Sequence, residues 1–406
     1  MKIGILTPHS QLNFGGVLQA WAMLEGAREV CGAETMFLDY WTDEKNVDLE
    51  RGVPDWSWRR WVKVVLRGLL GSGELSFLLR QWRTKRWMKK YFRNSPFHFT
   101  KFSGSQSDKL QTQIRQFDLI SVGSDQVWAY APFRLPDPFL LEGAPSVPAI
   151  AYAASFGMIE IPAEARQIYA DGFNRFATIG VREKSAVALV ESCGGKATHV
   201  ADPTLMVGFD FWYRLYKPKE ERRLVYYKIS TSVVEDLPRL EEFARKNHCK
   251  VDVFVDSVMN QVYYPASFRR PWRSLKIWWR RLATPVRIHL GAGPLQFVKA
   301  ISRAKWVMTD SFHGLMFSTI YGKNVREIKP TLEFRIKMFA RIADFAADFI
   351  EGDIVSDSMD EVLASFERGE TIAYRNDEID AFIHHSRNWL ADAAKQAEAQ
   401  SPNSKS

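Results

Sequence analysis

A histidine at a strand–helix junction is the most chemically pointed feature of this 406-residue chain. In Thr309-Asp-Ser-Phe-His-Gly314 the apolar run Trp306–Thr309 reads as a buried strand, and a helix starts near Gly314. His313 then sits among backbone N–H groups that a first helical turn leaves without partners. Its unperturbed pKa of about 6.5 suits proton transfer near neutral pH. Capping of the helix is the alternative role. Asp310, Ser311 and Gly314 beside it favour chemistry. Arg335, in the helical stretch Glu333–Ala340, offers a second cation downstream.

Other strand ends carry polar residues too. Phe117-Asp-Leu-Ile-Ser-Val-Gly-Ser-Asp-Gln-Val-Trp128 runs a strand into Gly123-Ser124-Asp125-Gln126. Ligands of open α/β sheets bind at that carboxyl edge. Asp125 there is a general base, a ligand for a sugar hydroxyl, or with Ser124 simply a cap. Ile179-Gly-Val-Arg-Glu-Lys184 puts Arg182 at the end of another strand, where a guanidinium pairs bidentately with phosphate or carboxylate. Ala201-Asp-Pro-Thr204 reads as a proline turn rather than as catalytic machinery. Asn13-Phe-Gly-Gly16 follows the first strand and opens the helix Val17–Val30. Gly15 and Gly16 let backbone approach a ligand, and a helix N-terminus favours an anion, although a tight turn explains the glycines equally well. The pattern is not Gly-x-Gly-x-x-Gly, so a dinucleotide site is not expected.

These residues need a scaffold that presents strand ends. Short apolar runs at Ile3–Leu6, Met36–Leu38, Phe117–Val122, Ile150–Ala153, Thr178–Val181 and Thr198–Val200 alternate with helical stretches such as Ala163–Phe176 and Glu183–Ser192. A second series follows at Leu224–Ile229, Val251–Val255, Val286–Leu290, Trp306–Thr309 and Val325–Ile328, with helices at Asp236–Lys246, Pro294–Arg303 and His313–Tyr321. Such alternation predicts parallel sheets covered by helices. A single core rarely grows beyond about 250–300 residues, so the length implies two domains. The polar stretch Lys217–Arg223 divides them. The expected layout is an α/β N-terminal Rossmann-like domain over 1–216, a second over 217–375, and a C-terminal helix with a polar tail over 376–406. Residues 51–100 form a basic, Trp-rich helical insertion in the first domain.

That insertion holds most of the charge. Between Trp56 and Arg93 there are eleven Lys/Arg against Glu74 alone, while the whole chain has a net charge of +8. Trp58, Trp61, Val62, Val65, Leu66, Leu69 and Leu70 fall on one helical face, with Arg59, Arg60, Lys63 and Arg67 opposite. Leu78–Phe92 gives a second basic helix with Trp82 and Trp87, and Arg269–Arg281 is a shorter echo. Tryptophan opposite cations suits an in-plane helix on an anionic membrane surface, and 56–93 is the segment expected to dock there. Two helices packed on the domain with a solvated face are the alternative. Nucleic acid is not expected, because no nucleic-acid-binding motif accompanies the charge. The longest apolar runs are too short to span a bilayer, the N-terminus lacks a signal-peptide pattern, and Cys31, Cys193 and Cys249 are scattered. A cytoplasmic protein is expected, peripheral on the inner face of the plasma membrane, with no metal.

Taken in order, Asn-Phe-Gly-Gly…Leu-Gln-Ala, Gly-Ser-Asp-Gln-Val-Trp, Val-Arg-Glu-Lys-Ser, Asp-Pro-Thr-Leu and Thr-Asp-Ser-Phe-His-Gly…Phe-Ser resemble the polysaccharide pyruvyl transferase family, from residue 1 to about 345. The resemblance implies two Rossmann-like domains facing a cleft, as in B-type glycosyltransferases. It also implies a reaction in which phosphoenolpyruvate gives its three-carbon unit to two sugar hydroxyls, forming a ketal and releasing phosphate. On that basis His313 is the acid and Arg182 the clamp on the donor anion, while Asp125 is a base or acceptor ligand. Ser311, Gly314, Arg335 and Lys184 complete the donor site; Asn13, Gly15, Gly16, Ser124 and Gln126 line the cleft. Some relatives have arginine where this chain has Ser311, so a cation is expected from Arg335 or Lys184. No cofactor beyond the donor is implied. The acceptor would be a sugar, on a lipid-linked oligosaccharide if the insertion docks on membrane. Two further readings remain: a nucleotide-sugar glycosyltransferase of B-type fold and a non-catalytic membrane-associated scaffold.

Overall fold

The computed structural model describes residues 1–9, 12–38, 74–92, 107–130, 138–141, 147–229, 233, 235–255, 284–329 and 333–399. The first insertion helix expected near 56–70 and the echo at 269–281 lie outside the described residues. Strands β1 (Lys2–Leu6), β2 (Glu34–Phe37), β3 (Leu119–Val122), β4 (Ala149–Ala154), β5 (Thr178–Val181) and β6 (Thr198–His199) form one sheet in the order β2-β1-β3-β4-β5-β6. β7 (Arg223–Lys228), β8 (Lys250–Val255), β9 (Val286–Ile288), β10 (Trp306–Thr309), β11 (Asn324–Ile328) and β13 (Val355–Ser356) form the second, ordered β13-β11-β10-β7-β8-β9. β12 (Ile350–Glu351) pairs with β14 (Ala373–Tyr374) in a small antiparallel ladder. All pairs in the two large sheets are parallel. Each expected strand run is a strand, with ends moved by one or two residues. The cause is burial on both faces, which makes parallel strands read as near-continuous apolar runs.

The helices are α1 (Phe14–Cys31), α2 (Glu74–Tyr91), α3 (Ser107–Ile114), α4 (Arg166–Phe173), α5 (Lys184–Glu191), α6 (Pro203–Met206), α7 (Phe209–Tyr213), α8 (Leu237–Lys246), α9 (Pro294–Arg303), α10 (Phe312–Ile320), α11 (Glu333–Phe349), α12 (Met359–Glu367) and α13 (Asn376–Ala399). Helix α1 is the keystone. It is buried from Phe14 to Ala27, and one continuous apolar core runs from it into both sheets. Phe14 stacks on Phe297 of α9 with centroids 5.2 Å apart and also meets Tyr227 and Phe254, all from the second half of the chain. The last helix, α13, returns to the first half. Ser386 Oγ accepts from Ala201 N at 2.8 Å, and Arg387 donates to Met206 O at 3.1 Å.

Helix α2 has two unlike faces. Arg80, Gln81, Thr84, Trp87 and Met88 are buried, and Trp87 packs edge-on against Trp21 at 5.5 Å. Arg80 Nη1 donates to Val255 O and Nη2 to Leu12 O, both at 2.6 Å, so one side chain stitches the two halves together. On the outer face Trp82 is 54% exposed, with Arg86 over its ring, and Lys89 and Lys90 are exposed. In this part of the expected membrane segment, the inner half is therefore committed to protein packing.

Candidate functional site

Each large sheet has one place where strand order reverses: between β1 and β3 in the first, between β7 and β10 in the second. Adjacent loops diverge at such a point and leave a crevice at the strand ends. The loops after β1 and β3 carry Asn13–Gly16 and Gly123–Gln126. The turn after β10 carries Asp310 and Ser311 and leads into His313 in the first turn of α10, and Asp310 Oδ1 ties it to the end of β7 by accepting from Ile229 N at 2.7 Å. The two crevices meet. A Cβ on Gly15 would lie 2.2 Å from His313 Nδ1, so the first turn of α1 reaches α10 only because residue 15 is glycine.

Ser311 caps α10, its hydroxyl accepting from Gly314 N at 3.4 Å while its own N–H donates to Thr309 Oγ1 at 3.0 Å. Gly314 is confined by the same threonine: a Cβ there would stand 2.5 Å from Thr309 Oγ1. His313 follows the cap and is buried. Its Nε2 has no hydrogen-bond partner and lies 3.8 Å from Asp202 Oδ2. Burial drives its pKa below the ordinary value; Asp202 and Asp125 pull it back up, and Arg182 and Arg341 push it down again. The resting imidazole is neutral at pH 7.

Arg182 follows β5 and is 4% exposed. Its Nε donates to Glu183 Oε1 at 3.0 Å, and Nη1 donates to Asp202 Oδ2 at 3.1 Å, with Asp125 Oδ1 at 3.6 Å. Nη2 is buried and has no hydrogen-bond partner. Burial alone would weaken this base, but the three carboxylates outweigh it and raise its pKa, so it is always a cation. Asp125 sits at φ 74°, a left-handed conformation that Asp tolerates, and its carbonyl accepts from Val127 N and Ser155 N. Burial would raise its pKa. Arg182, His313, Arg341 and the Gln126 N–H win, and the carboxyl titrates below the usual range.

The structure thus brings His313, Arg182, Asp125 and Gly15 together. Asn13 and Gly16 are used in the turn itself, the Asn13 side chain accepting from Gly16 N at 2.9 Å. Ser124 is wholly buried, and Gln126 lies against Gly157. Lys184 points to solvent and pairs with Asp348 at 3.0 Å, away from the cluster. The side chain of Arg335 lies outside the described residues.

Sequence reasoning missed Asp202, Glu183, Phe312 and Arg341. Asp202 Oδ1 caps α6 through Thr204 N at 2.9 Å and Thr204 Oγ1 at 2.6 Å, as the proline-turn reading expected. Its other oxygen holds Arg182 and faces His313, a role the turn chemistry hides. The guanidiniums of Arg182 and Arg341 lie over the Phe312 ring, at 4.5 Å and 5.5 Å from its centroid. Among the described residues no three His, Cys, Asp or Glu side chains are grouped to hold a metal ion. No described helix is long and apolar enough to cross a membrane.

The family model for polysaccharide pyruvyl transferase matches residues 13–326, from the α1 cap to β11. The chain belongs to the polysaccharide pyruvyl transferase family. Every residue of the cluster except Arg341 lies within the matched span. No curated protein matches the chain. Among solved structures it is similar to the UDP-GlcNAc 2-epimerase of Methanocaldococcus jannaschii, at 10% identity and a TM-score of 0.50, covering 93% of this chain and 95% of that one. The Neisseria meningitidis UDP-GlcNAc 2-epimerase bound to UDP-GlcNAc is 10% identical with a TM-score of 0.47, covering 98% and 100%. An α-glucosyltransferase in complex with UDP gives 10%, 0.45, 96% and 95%. At this identity the likeness is one of fold: two Rossmann-like domains, as in the Methanocaldococcus jannaschii epimerase.

Proposed function

We propose that this family member transfers the pyruvyl unit of phosphoenolpyruvate to two hydroxyls of a sugar, forming a ketal during exopolysaccharide or envelope glycan assembly. One observation carries the reading. Arg182 Nη2 and His313 Nε2 are buried nitrogens without hydrogen-bond partners, held beside the Asp125 carboxylate where the two crevices meet. A cation, a proton-transfer group and a base are the set that an enol phosphate and a hydroxyl require.

Arg182 takes an anionic group of the donor. His313 enters neutral, and the charge of the donor offsets the field of Arg182 and Arg341, so the imidazole takes up a proton as the donor binds. It passes that proton to the methylene carbon, which becomes the methyl group and leaves C2 electrophilic. One sugar hydroxyl adds to C2, losing its proton to Asp125; the C2–O bond to phosphate breaks; the second hydroxyl closes the ketal. Of the two hydroxyl protons, one replaces that spent on the methyl group and the other departs with phosphate.

The acceptor is a lipid-linked oligosaccharide, presented where Trp82, Arg86, Lys89 and Lys90 of α2 meet anionic lipid at the inner face of the plasma membrane. The test is incubation with phosphoenolpyruvate and a set of free and lipid-linked saccharides. Phosphate release together with an acceptor heavier by one pyruvyl ketal is expected. Glycosyl transfer from a nucleotide sugar, with phosphoenolpyruvate untouched, would overturn the reading.

A further inference from the structure

The Leu18-Gln-Ala20 motif of α1 lies outside the cluster of His313, Arg182 and Asp125. Gln19 is wholly buried there, four residues after Gly15, so the two residues share a helix face. Gly15 meets His313. Gln19 reaches the other side of the cleft. Its Nε2 donates to Thr7 Oγ1 at 3.1 Å, and that hydroxyl donates to Ser124 O at 3.0 Å. Thr7 follows β1 and is itself buried. The polarity of the chain is fixed: the amide nitrogen donates, so the threonine oxygen accepts, and its one proton goes to the carbonyl.

Ser124 O belongs to the peptide unit that enters Asp125. The unit that leaves it is held as well, since Asp125 O accepts from Val127 N at 2.7 Å and from Ser155 N at 3.0 Å. Peptide units are rigid planes, so holding both planes beside a Cα fixes its φ and ψ, and with them the direction in which its side chain departs. Asp125 stands at φ 74°, a conformation disfavoured by its Cβ that persists only where the surroundings impose it. Its carboxylate thereby stays 3.6 Å from Arg182.

We propose that Gln19 and Thr7 are positioning residues for Asp125: the hydrogen-bonded chain from α1 holds the peptide that enters it and so aims the carboxylate at the acceptor hydroxyl beside Arg182. The role of that aim rests on the pyruvyl-transfer reading, in which Asp125 takes the hydroxyl proton. One helix then sets both partners of the reaction, with His313 placed against Gly15 and Asp125 placed through Gln19 one turn later.

Two readouts on T7V, T7S and Q19M test it, each variant first checked for a cooperative thermal transition. The first needs no substrate: the Asp125 carboxyl is followed against pH by carbon-13 NMR, with D125N to assign the signal. T7V and Q19M should raise its midpoint toward the ordinary value as the carboxylate swings away from Arg182, and T7S, which keeps the hydroxyl, should not. Q19M leaves the threonine in place and decides the matter if T7V does not fold. The second is turnover with phosphoenolpyruvate and the saccharide that the wild-type protein pyruvylates in the screen described above. T7V should lower kcat by about 10- to 100-fold, the cost of a small misplacement, with the KM for phosphoenolpyruvate unchanged and T7S restoring the rate. A wild-type midpoint and kcat in T7V and Q19M would overturn the proposal, as would an equal loss in T7S, which would assign the effect to packing. A shifted midpoint in T7V and Q19M, with no saccharide pyruvylated by the wild-type protein, would support the hold on Asp125 and overturn the reaction assigned to it.

Discussion

Arg80 and Arg182 are both buried and both lie over a phenylalanine ring, at 4.1 Å from Phe14 and 4.5 Å from Phe312. They part company in their partners. Arg80 gives its two terminal nitrogens to main-chain carbonyls, one from β8 and one from the loop before α1. Those acceptors are neutral and fixed, and the result is a stitch between domains. Arg182 is gripped by carboxylates through Nε and Nη1, which leaves Nη2 without a partner. On the pyruvyl-transfer reading proposed above, that open nitrogen is what Arg182 offers to an anionic donor, whereas the carbonyl bonds of Arg80 hold structure.

Substitutions can break that comparison. The largest effect is expected at the histidine beside Arg182: H313A should lower turnover by about 10²–10⁴-fold, the usual yield of a positioned proton-transfer group, while donor binding largely survives. Unchanged turnover would remove His313 from the mechanism. Next comes the stitch. R80M removes the donors to a buried and a half-buried carbonyl and should cost about 2–4 kcal/mol in urea unfolding, with donor affinity unchanged in the folded fraction. A loss of donor affinity without loss of stability would mean that Arg80 is the ligand-binding member of the pair. R182K keeps the charge but not the fork, and should weaken phosphoenolpyruvate binding by about 10-fold.

A pH series sharpens the same contrast, because the Arg182 neighbourhood holds groups with shifted pKa values, His313 and Asp125. The native pKa of His313 lies below the 6.5 of the free group, so between those values the unfolded chain binds the extra proton. Its contribution to stability is therefore complete above about pH 6.5 and is lost as pH falls through that window. The slope is at most about 1.4 kcal/mol per pH unit, and H313Q should flatten it. Asp125 acts in the same sense but only at more acid pH, where its lowered pKa is reached. An identical slope in H313Q would place the titration elsewhere. The smallest effect belongs to the outer face of α2. Charge reversal at Arg86 and Lys90 should weaken salt-sensitive binding to vesicles with anionic lipid, and leave stability within about 0.5 kcal/mol. Vesicle binding that ignores both changes would sink the membrane proposal.

The strands and the loops that carry His313, Arg182 and Asp125 were legible because buried parallel strands and polar strand ends write themselves locally. Arg341 was not. Its place depends on α11 docking on α5 through a pair 159 residues apart, which no local pattern announces. Asp202 was half legible: the cap is local, the grip on Arg182 across 20 residues is not. Helix α2 was ambiguous for another reason. Tryptophan buries as well in a protein as in a headgroup layer, so Trp82 and Trp87 look alike in sequence and face opposite ways in the fold. Lys184, read from sequence as a candidate cation of the cleft, is exposed in the fold and pairs with Asp348, a partner 164 residues away that no local pattern announces.

Thermal stability of the purified protein with phosphoenolpyruvate, then with nucleotide sugars, and with R182K alongside, tests the donor site most directly. At a hundred times its dissociation constant a ligand adds about 2.7 kcal/mol. Stabilisation of the wild-type protein by phosphoenolpyruvate, reduced in R182K at the same concentration, is the expected result. Stabilisation by a nucleotide sugar with none by phosphoenolpyruvate would contradict it.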